Sequence, residues 1–76
     1  MASVTGRVLL VQEGRFELLS DAGQGHIFLL APGSGVEPDD LAALQRRQAR
    51  VLVQDAAAPG LTARVAKRIT TLEEVA

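Results

Sequence analysis

The sequence predicts a mainly β fold: a small five-stranded barrel with one helix between the third and fourth strands. Apolar residues make up 47% of the 76 residues and are mostly aliphatic, a composition that supports a packed core. Several short runs alternate between apolar and polar residues and are separated by glycine-containing turns, as strands are. One segment instead begins and ends with helix signals. The length fits a single domain, residues 1–76.

Two strands are predicted before the first long turn. In the first, residues 4–12, the side chains expected on the buried face are those of Val4, Gly6, Val8 and Leu10. The second has the sequence RFELLS, in which Arg15 and Glu17 alternate with two apolar residues. Because the charged pair should point to water, we expect Phe16 and Leu18 in the core.

The third strand, residues 26–31, has the sequence HIFLLA, and five of its six residues are apolar. Periodicity therefore leaves two interpretations open. Phe28 is either a core residue, as phenylalanine often is, or an exposed ring. If Ile27 and Leu29 point inward, an exposed apolar patch results, and such patches usually mark a protein contact. The members of this candidate interaction face are Leu9, Val11, Leu19, Phe28 and Leu30.

A helix is predicted for residues 37–48. Pro38 suits the first helical position, where its missing N–H group costs nothing. The charges match the helix dipole, with Asp39 and Asp40 in the first turn and Arg46 and Arg47 near the last. Leu41 and Leu44 form a narrow apolar stripe, which is enough to cap one end of a barrel.

Two more strands follow the helix. Residues 49–55 place Val51 and Val53 on one face. Residues 61–70 alternate strictly, and the expected inner set is Leu61, Ala63, Val65, Lys67 and Ile69. A lysine among inward positions indicates a bulge, or the exit of the strand from the barrel, at Lys67.

This order of strands and helix is the arrangement of the OB-fold, a partly open five-stranded barrel. An SH3-like barrel is the nearest alternative, but such barrels typically have little or no helix at this point. The predicted fold is therefore an OB-like barrel.

The chain is short enough to need additional stabilisation. It contains no cysteine, which excludes disulfides, and the single histidine, His26, cannot form a structural zinc site. Good packing and self-association remain as sources of stability. Because the chain is small, we expect it to associate with itself or with another protein. Residues 71–76 carry a capping-box pattern from Thr71 to Glu74 but are too few for an isolated helix, and we interpret them as a flexible tail.

The sequence resembles cold-shock domains along most of its length. The opening G-x-V of that family matches Gly6-Arg7-Val8, and GRFEL, residues 14–18, aligns with its K-G-F-G-F-I motif. GHIFLL aligns with the third strand, LQRRQARVLV with the fourth, and GLTARV with the end of the family pattern. S1-type OB domains are similar to about the same degree. The resemblance implies an OB barrel that binds single-stranded nucleic acid.

The sequence departs from the family where bases would stack. In cold-shock domains two phenylalanines of the aligned motif face solvent, and here these positions hold Arg15 and Glu17. The preceding lysine is Glu13 in this chain. Base stacking contributes about 1–3 kcal/mol per base, so much of the affinity should be lost. The candidate nucleic-acid contacts that remain are Arg7, Arg15, His26 and Phe28.

The arginines and His26 also have simpler interpretations. Arg7, Arg15, Arg64 and Arg68 lie on outward positions, which is equally typical of the solvated face of a barrel. Arg7 and Arg15 are expected to be close, since their strands pair. His26 is interpreted as a surface residue beside a turn, because no partner for proton transfer is evident.

Several function classes are excluded or disfavoured. The net charge of −1 provides no long-range attraction to phosphate. No nucleophilic or acid–base constellation is evident, so we expect no enzyme activity, cofactor, metal or small-molecule substrate. No apolar run approaches the roughly 18 residues of a membrane span, and a cytoplasmic location is expected. A small subunit or adaptor of a larger assembly remains a third interpretation.

Overall fold

Five strands of the computed structural model close into a barrel, with the helix between the third and fourth strands. The structure describes residues 2–57, 60 and 63–72. Its elements are β1 (Ala2–Gln12), β2 (Arg15–Ser20), β3 (Gly25–Leu30), α1 (Pro38–Arg47), β4 (Arg50–Ala56) and β5 (Arg64–Thr71). The predicted mainly β fold, a five-stranded barrel with one helix between the third and fourth strands, is confirmed.

The order of strands around the barrel is β1-β2-β3-β5-β4, and β4 pairs with β1 to close it. Neighbouring strands are antiparallel, except that β3 and β5 run parallel over Phe28–Leu30 and Arg64–Ala66. The segment that follows β3 also pairs with β5 at one point, where the Ile69 N–H group donates to the Ser34 carbonyl at 3.2 Å. Ser34 is itself buried at this point.

The core lies inside the barrel and under the helix. Its buried apolar residues are Val8, Phe16, Leu18, Phe28, Leu41, Leu44, Ala49, Val51, Val53, Ala66 and Ile69. The rings of Phe16 and Phe28 are tilted to one another with centroids 5.5 Å apart, within the range of favourable aromatic pairs. The expected core positions in β2, α1 and β4 are therefore confirmed.

A β-bulge in β1 corrects part of the predicted core. Val8 pairs with Leu18 and Leu10 pairs with Glu17, so Leu9 is one extra residue on β1. An extra residue reverses the alternation of the strand beyond it. Leu10, expected to be buried, is consequently 46% exposed, and Val11, expected on the outer side, packs against the core.

The predicted irregularity at Lys67 is confirmed. Gln54 pairs with Arg68 and Asp55 with Ala66, which leaves Lys67 as the extra residue of β5. The inner positions next to this bulge are Ala66 and Ile69. The expectation that Ala63 and Val65 belong to the buried inner set is wrong, because both are only half-buried and the bulge shifts the alternation. Leu61 lies outside the described residues.

The helix begins and ends one residue inside its predicted bounds. The Glu37 N–H group donates to Asp40 Oδ2 at 3.0 Å, and Pro38 occupies the first turn. The residue that follows the helix, Gln48, caps its C-terminus with a left-handed φ of 52°. Leu41 and Leu44 are buried, as the apolar stripe predicts.

The C-terminal strand extends further than predicted. Thr71 belongs to β5 and pairs with Val51, and the Leu72 N–H group donates to the Arg50 carbonyl at 2.8 Å. Thr71 is thus part of the sheet rather than of a tail, and Leu72 is hydrogen-bonded to β4. The capping-box pattern that ends at Glu74 extends beyond the described residues.

Candidate interaction face

The outward side of β1–β3, here called the outer face, carries four exposed aliphatic side chains. Their exposed fractions are 45% for Leu9, 46% for Leu10, 39% for Leu19 and 54% for Ile27. They are the exposed large apolar residues of the described part of the chain. Local alternation and the β1 bulge place all four on the side opposite the core.

Strand pairing places the outer-face residues in rows across the sheet. The middle row consists of Leu10, Glu17 and Ile27. The row toward the β2–β3 turn consists of Arg7, Leu19 and Gly25. The row toward the β1–β2 turn consists of Gln12, Arg15 and Leu29. Each charged residue of β2 therefore has at least one aliphatic neighbour in its own row.

A shallow cleft of about 90 Å³ crosses the middle of the outer face. It is lined by Leu10, Gln12, Arg15, Phe16, Glu17 and Ile27. A cavity of about 150 Å³ holds benzene, so this cleft has room for a smaller group such as one aliphatic side chain. The cleft is open to solvent, with aliphatic residues on two sides and charged residues between them.

Glu17 extends across this face toward β3. A Cβ atom placed on Gly25 would lie 3.0 Å from Glu17 Oε2, so the carboxylate occupies the space that this glycine leaves free. The ion pairs within the described residues are Arg50–Asp21 and Arg64–Asp55. Neither Glu17 nor Arg15 has a charged partner there.

The structure confirms the expected exposure for only part of the predicted interaction face. Leu9 and Leu19 are exposed as expected. Phe28 is 1% exposed, and Val11 and Leu30 pack against the core, so the expected outward orientation of these three residues is wrong. The reason is the register of β3: Phe28 lies opposite the inward Phe16, so Ile27 and Leu29 point outward. The sequence does not assign Leu10 and Ile27 to this face, because both lie in apolar runs in which no polar residue identifies the side that faces water.

The candidate nucleic-acid contacts do not form one cluster. Arg7 and Arg15 are both exposed, but Arg7 lies opposite Leu19 and Arg15 opposite Gln12. Five residues along β1 separate these positions, or about 16 Å, so the expected proximity is wrong. The Arg7 Nε–H group instead donates to the Gln48 carbonyl at 3.2 Å.

No phenylalanine, tyrosine or tryptophan ring is available for base stacking. The chain has two phenylalanines and no tyrosine or tryptophan, and Phe16 and Phe28 are both in the core. His26 is half-buried and stacks on Phe28, with centroids 6.1 Å apart and ring planes at 14°. The expectation that Phe28 offers an exposed platform is therefore wrong, and one side of the His26 ring already has a partner.

A surface ion pair engages one arginine near Arg7. Arg50, which lies opposite Arg7 in the sheet, pairs with Asp21. The Arg50 hydrogen bond is the main cause that lowers the pKa of the Asp21 carboxyl, with smaller contributions from the charges of Arg50 and Arg7. The same hydrogen bond raises the pKa of Arg50. This pairing reduces the positive charge that the region offers to a phosphate.

The described residues, 2–57, 60 and 63–72, provide neither a metal-binding cluster nor a helix that could span a membrane. Within these ranges no group of three or more histidine, cysteine or acidic side chains is placed to hold a metal ion. The helix present there is too short and too polar to cross a membrane. A buried carboxylate, Asp55, pairs with Arg64 at the β4–β5 ladder, and its Oδ1 atom has no hydrogen-bond partner in the described part.

The outer face thus holds the exposed large apolar side chains of the described residues. Comparison with protein-family models, with curated proteins and with solved structures finds no match for this chain.

Proposed function

We propose that this chain is a non-catalytic binding module of the OB-fold type, whose outer face contacts protein. The strand order β1-β2-β3-β5-β4, with the helix between β3 and β4, supports the OB assignment. The outer face of β1–β3 is the side on which OB barrels commonly hold their ligands.

The observation that carries the proposal is the exposure of Leu9, Leu10, Leu19 and Ile27 on one sheet face. Single exposed aliphatic residues are ordinary, but four of them on one sheet face of a small domain favour a contact surface. Removing such a group from water on binding is favourable, at about 25 cal/mol per Å² of apolar area. A protein partner would supply the apolar surface needed for this.

A protein is favoured over nucleic acid by the chemistry of the same face. Binding of single strands relies on exposed rings and on a groove of positive charge. Both phenylalanines are in the core, and Glu17 carries a negative charge at the centre of the face. Arg7 and Arg15 alone give two separated positive charges, which is a weak basis for holding a phosphate backbone.

Site-specific photo-crosslinking tests the proposal. A photoreactive amino acid is introduced at Ile27, and the control carries it at Arg68, an exposed residue of β5. Both proteins are irradiated in a lysate of the source cells and after purification. We expect crosslinked protein from position 27 in excess of position 68, and we expect Leu10→Asp in the same chain to remove it.

The products separate the alternatives. A nuclease-sensitive product from position 27 would support nucleic-acid binding and contradict the proposal. Equal crosslinking from positions 27 and 68 would contradict any specific use of this face. A protein product of any mass that depends on Leu10 supports the proposal.

A further inference from the structure

The two charged side chains of β2 on the outer face are arranged as a pair of opposite sign. Arg15 and Glu17 are two residues apart, with the buried Phe16 between them. Alternate residues of a strand are about 6.8 Å apart, so the Cα atoms of Arg15 and Glu17 lie on either side of Phe16 along the strand. Neither is in an ion pair within the described residues, whose ion pairs are Arg50–Asp21 and Arg64–Asp55.

This arrangement is complementary to itself. If two outer faces meet with their β2 strands antiparallel, a two-fold axis crosses the strands above Phe16. Each Arg15 then faces the Glu17 of the other copy. A two-fold axis along the strands would instead place Glu17 against Glu17, which is unfavourable. The charges therefore favour the antiparallel arrangement of the two β2 strands over the parallel one.

The apolar residues fit the same arrangement. Glu17 and Ile27 belong to one row and Arg15 and Leu29 to the next. The rotation that joins Arg15 to Glu17 therefore brings Ile27 of one copy over Leu29 of the other. Leu10 lies in the row of Glu17, so the same rotation brings it over the row of Gln12 and Arg15 of the other copy. The cleft beside Ile27 has room for one aliphatic side chain from the opposing sheet.

We propose that the partner of the outer face is a second copy of this chain, joined antiparallel with two reciprocal Arg15–Glu17 ion pairs. This inference rests on the proposed function, protein contact through the outer face, and specifies the partner and its orientation. Such an interface is isologous, since the same patch contributes on both copies.

The size of the face predicts a concentration-dependent dimer. Three strands of six residues cover about 14 Å by 20 Å, or roughly 280 Å² of sheet. A standard stable interface takes about 800 Å² from each partner. We therefore expect monomer and dimer to exchange, with the dimer favoured at high protein concentration.

Charge exchange tests the orientation. Sedimentation equilibrium is measured over a wide range of protein concentration for wild type, Arg15→Glu, Glu17→Arg and the double variant Arg15→Glu/Glu17→Arg. In the antiparallel dimer each single variant opposes like charges, so we expect at least a tenfold weaker association. The double variant restores both ion pairs, so its association should return to within about threefold of wild type. A tenfold change in the association constant corresponds to about 1.4 kcal/mol of binding free energy, and a threefold change corresponds to about half of that.

Mixing and control experiments complete the test. Arg15→Glu mixed with Glu17→Arg should form a heterodimer, since the four charges are then complementary. Arg68→Glu changes the net charge as much as Arg15→Glu but lies on β5, and it should associate like wild type. Far-ultraviolet circular dichroism verifies that every variant keeps the wild-type fold.

Two results would overturn the inference. One is a wild type that remains monomeric at the highest concentration reached. The other is a dimer that the double variant fails to restore. If a different protein is crosslinked from position 27 while the purified chain is monomeric, this inference fails and the proposed function stands. If oligonucleotide binds the monomer and Arg15→Glu abolishes that binding, both fail.

Discussion

The side chain of Gln45 on α1 donates a 2.9 Å hydrogen bond from Nε2 to the carbonyl of Leu9. Leu9 is the extra residue of the β1 bulge, and the pairing of β1 with β4 extends only from Ala2 to Arg7. The helix thus supplies a donor to the carbonyl of a residue that has no partner in either ladder. This contact joins the helix to the bulge that turns Leu10 outward.

Replacing Gln45 by alanine should therefore weaken the fold by about 1 kcal/mol, the usual net contribution of such a hydrogen bond. Urea unfolding followed by circular dichroism measures the change. Arg46→Ala is the matched control, since Arg46 is exposed on the same helix, and it should have less than half the effect. Equal effects would show that loss of side-chain length on the helix, rather than the bond to Leu9, determines the result.

A close approach of two strands makes Gly6 sensitive to substitution. A Cβ atom at Gly6 would lie 2.0 Å from the Leu19 carbonyl oxygen, which is a backbone atom and cannot move freely. Gly6→Ala should destabilise the chain by about 3 kcal/mol or more, as overpacking of a tight site does. Gly25→Ala is the control, because its Cβ would meet only the end of the Glu17 side chain. Thermal unfolding of both variants tests this, and similar midpoints would contradict it.

How far the sequence predicts the core depends on whether a charge marks the strand face. The sequence predicts Phe16 and Leu18 in the core because Arg15 and Glu17 alternate with them, and their burial is confirmed. The bulge at Lys67 is predictable for the same reason, since a lysine contradicts an inward position. In these segments one polar side chain is enough to define the side that faces water.

Uniformly apolar segments do not carry this information. The run VLLV contains no polar residue to show that an extra residue reverses its faces. The sequence therefore predicts Leu10 inside and Val11 outside, the opposite of what the bulge produces. The third strand is similar, and only its pairing with β2 assigns Phe28 to the core. The distance between Arg7 and Arg15 was predictable, however. The two-residue turn Glu13–Gly14 places Arg15 opposite Gln12, at the far end of β1 from Arg7.

The buried carboxylate of Asp55 should depend on its arginine partner. Arg64 pairs with Asp55 Oδ2, while Oδ1 has no hydrogen-bond partner among the described residues. Replacing Arg64 by methionine keeps much of the apolar stem but leaves the acid without its cation. We expect a loss of about 1–3 kcal/mol in urea unfolding at neutral pH.

Two variants test the cause of that loss. Adding Asp55→Asn to Arg64→Met removes the negative charge and should recover part of the stability. Arg68→Met, on the same strand but without an ion pair in the described part, should be nearly neutral. The interpretation fails if the Arg68 variant is as unstable as the Arg64 variant.

The ion pair between Asp21 and Arg50 predicts a specific dependence of stability on pH. The hydrogen bond from Arg50 is the main cause of the lowered pKa of Asp21, whose usual value is 3.8. A carboxyl with a lower pKa in the folded state contributes stability above its unfolded pKa. It loses this contribution as the pH falls through the folded pKa. The difference in Tm between wild type and Asp21→Asn should therefore be constant from neutral pH to about pH 5 and shrink below about pH 4. Arg50→Gln removes the same interaction and should show the same pH window. A difference that stays constant, or that grows as the pH falls, would contradict the ion pair as its source.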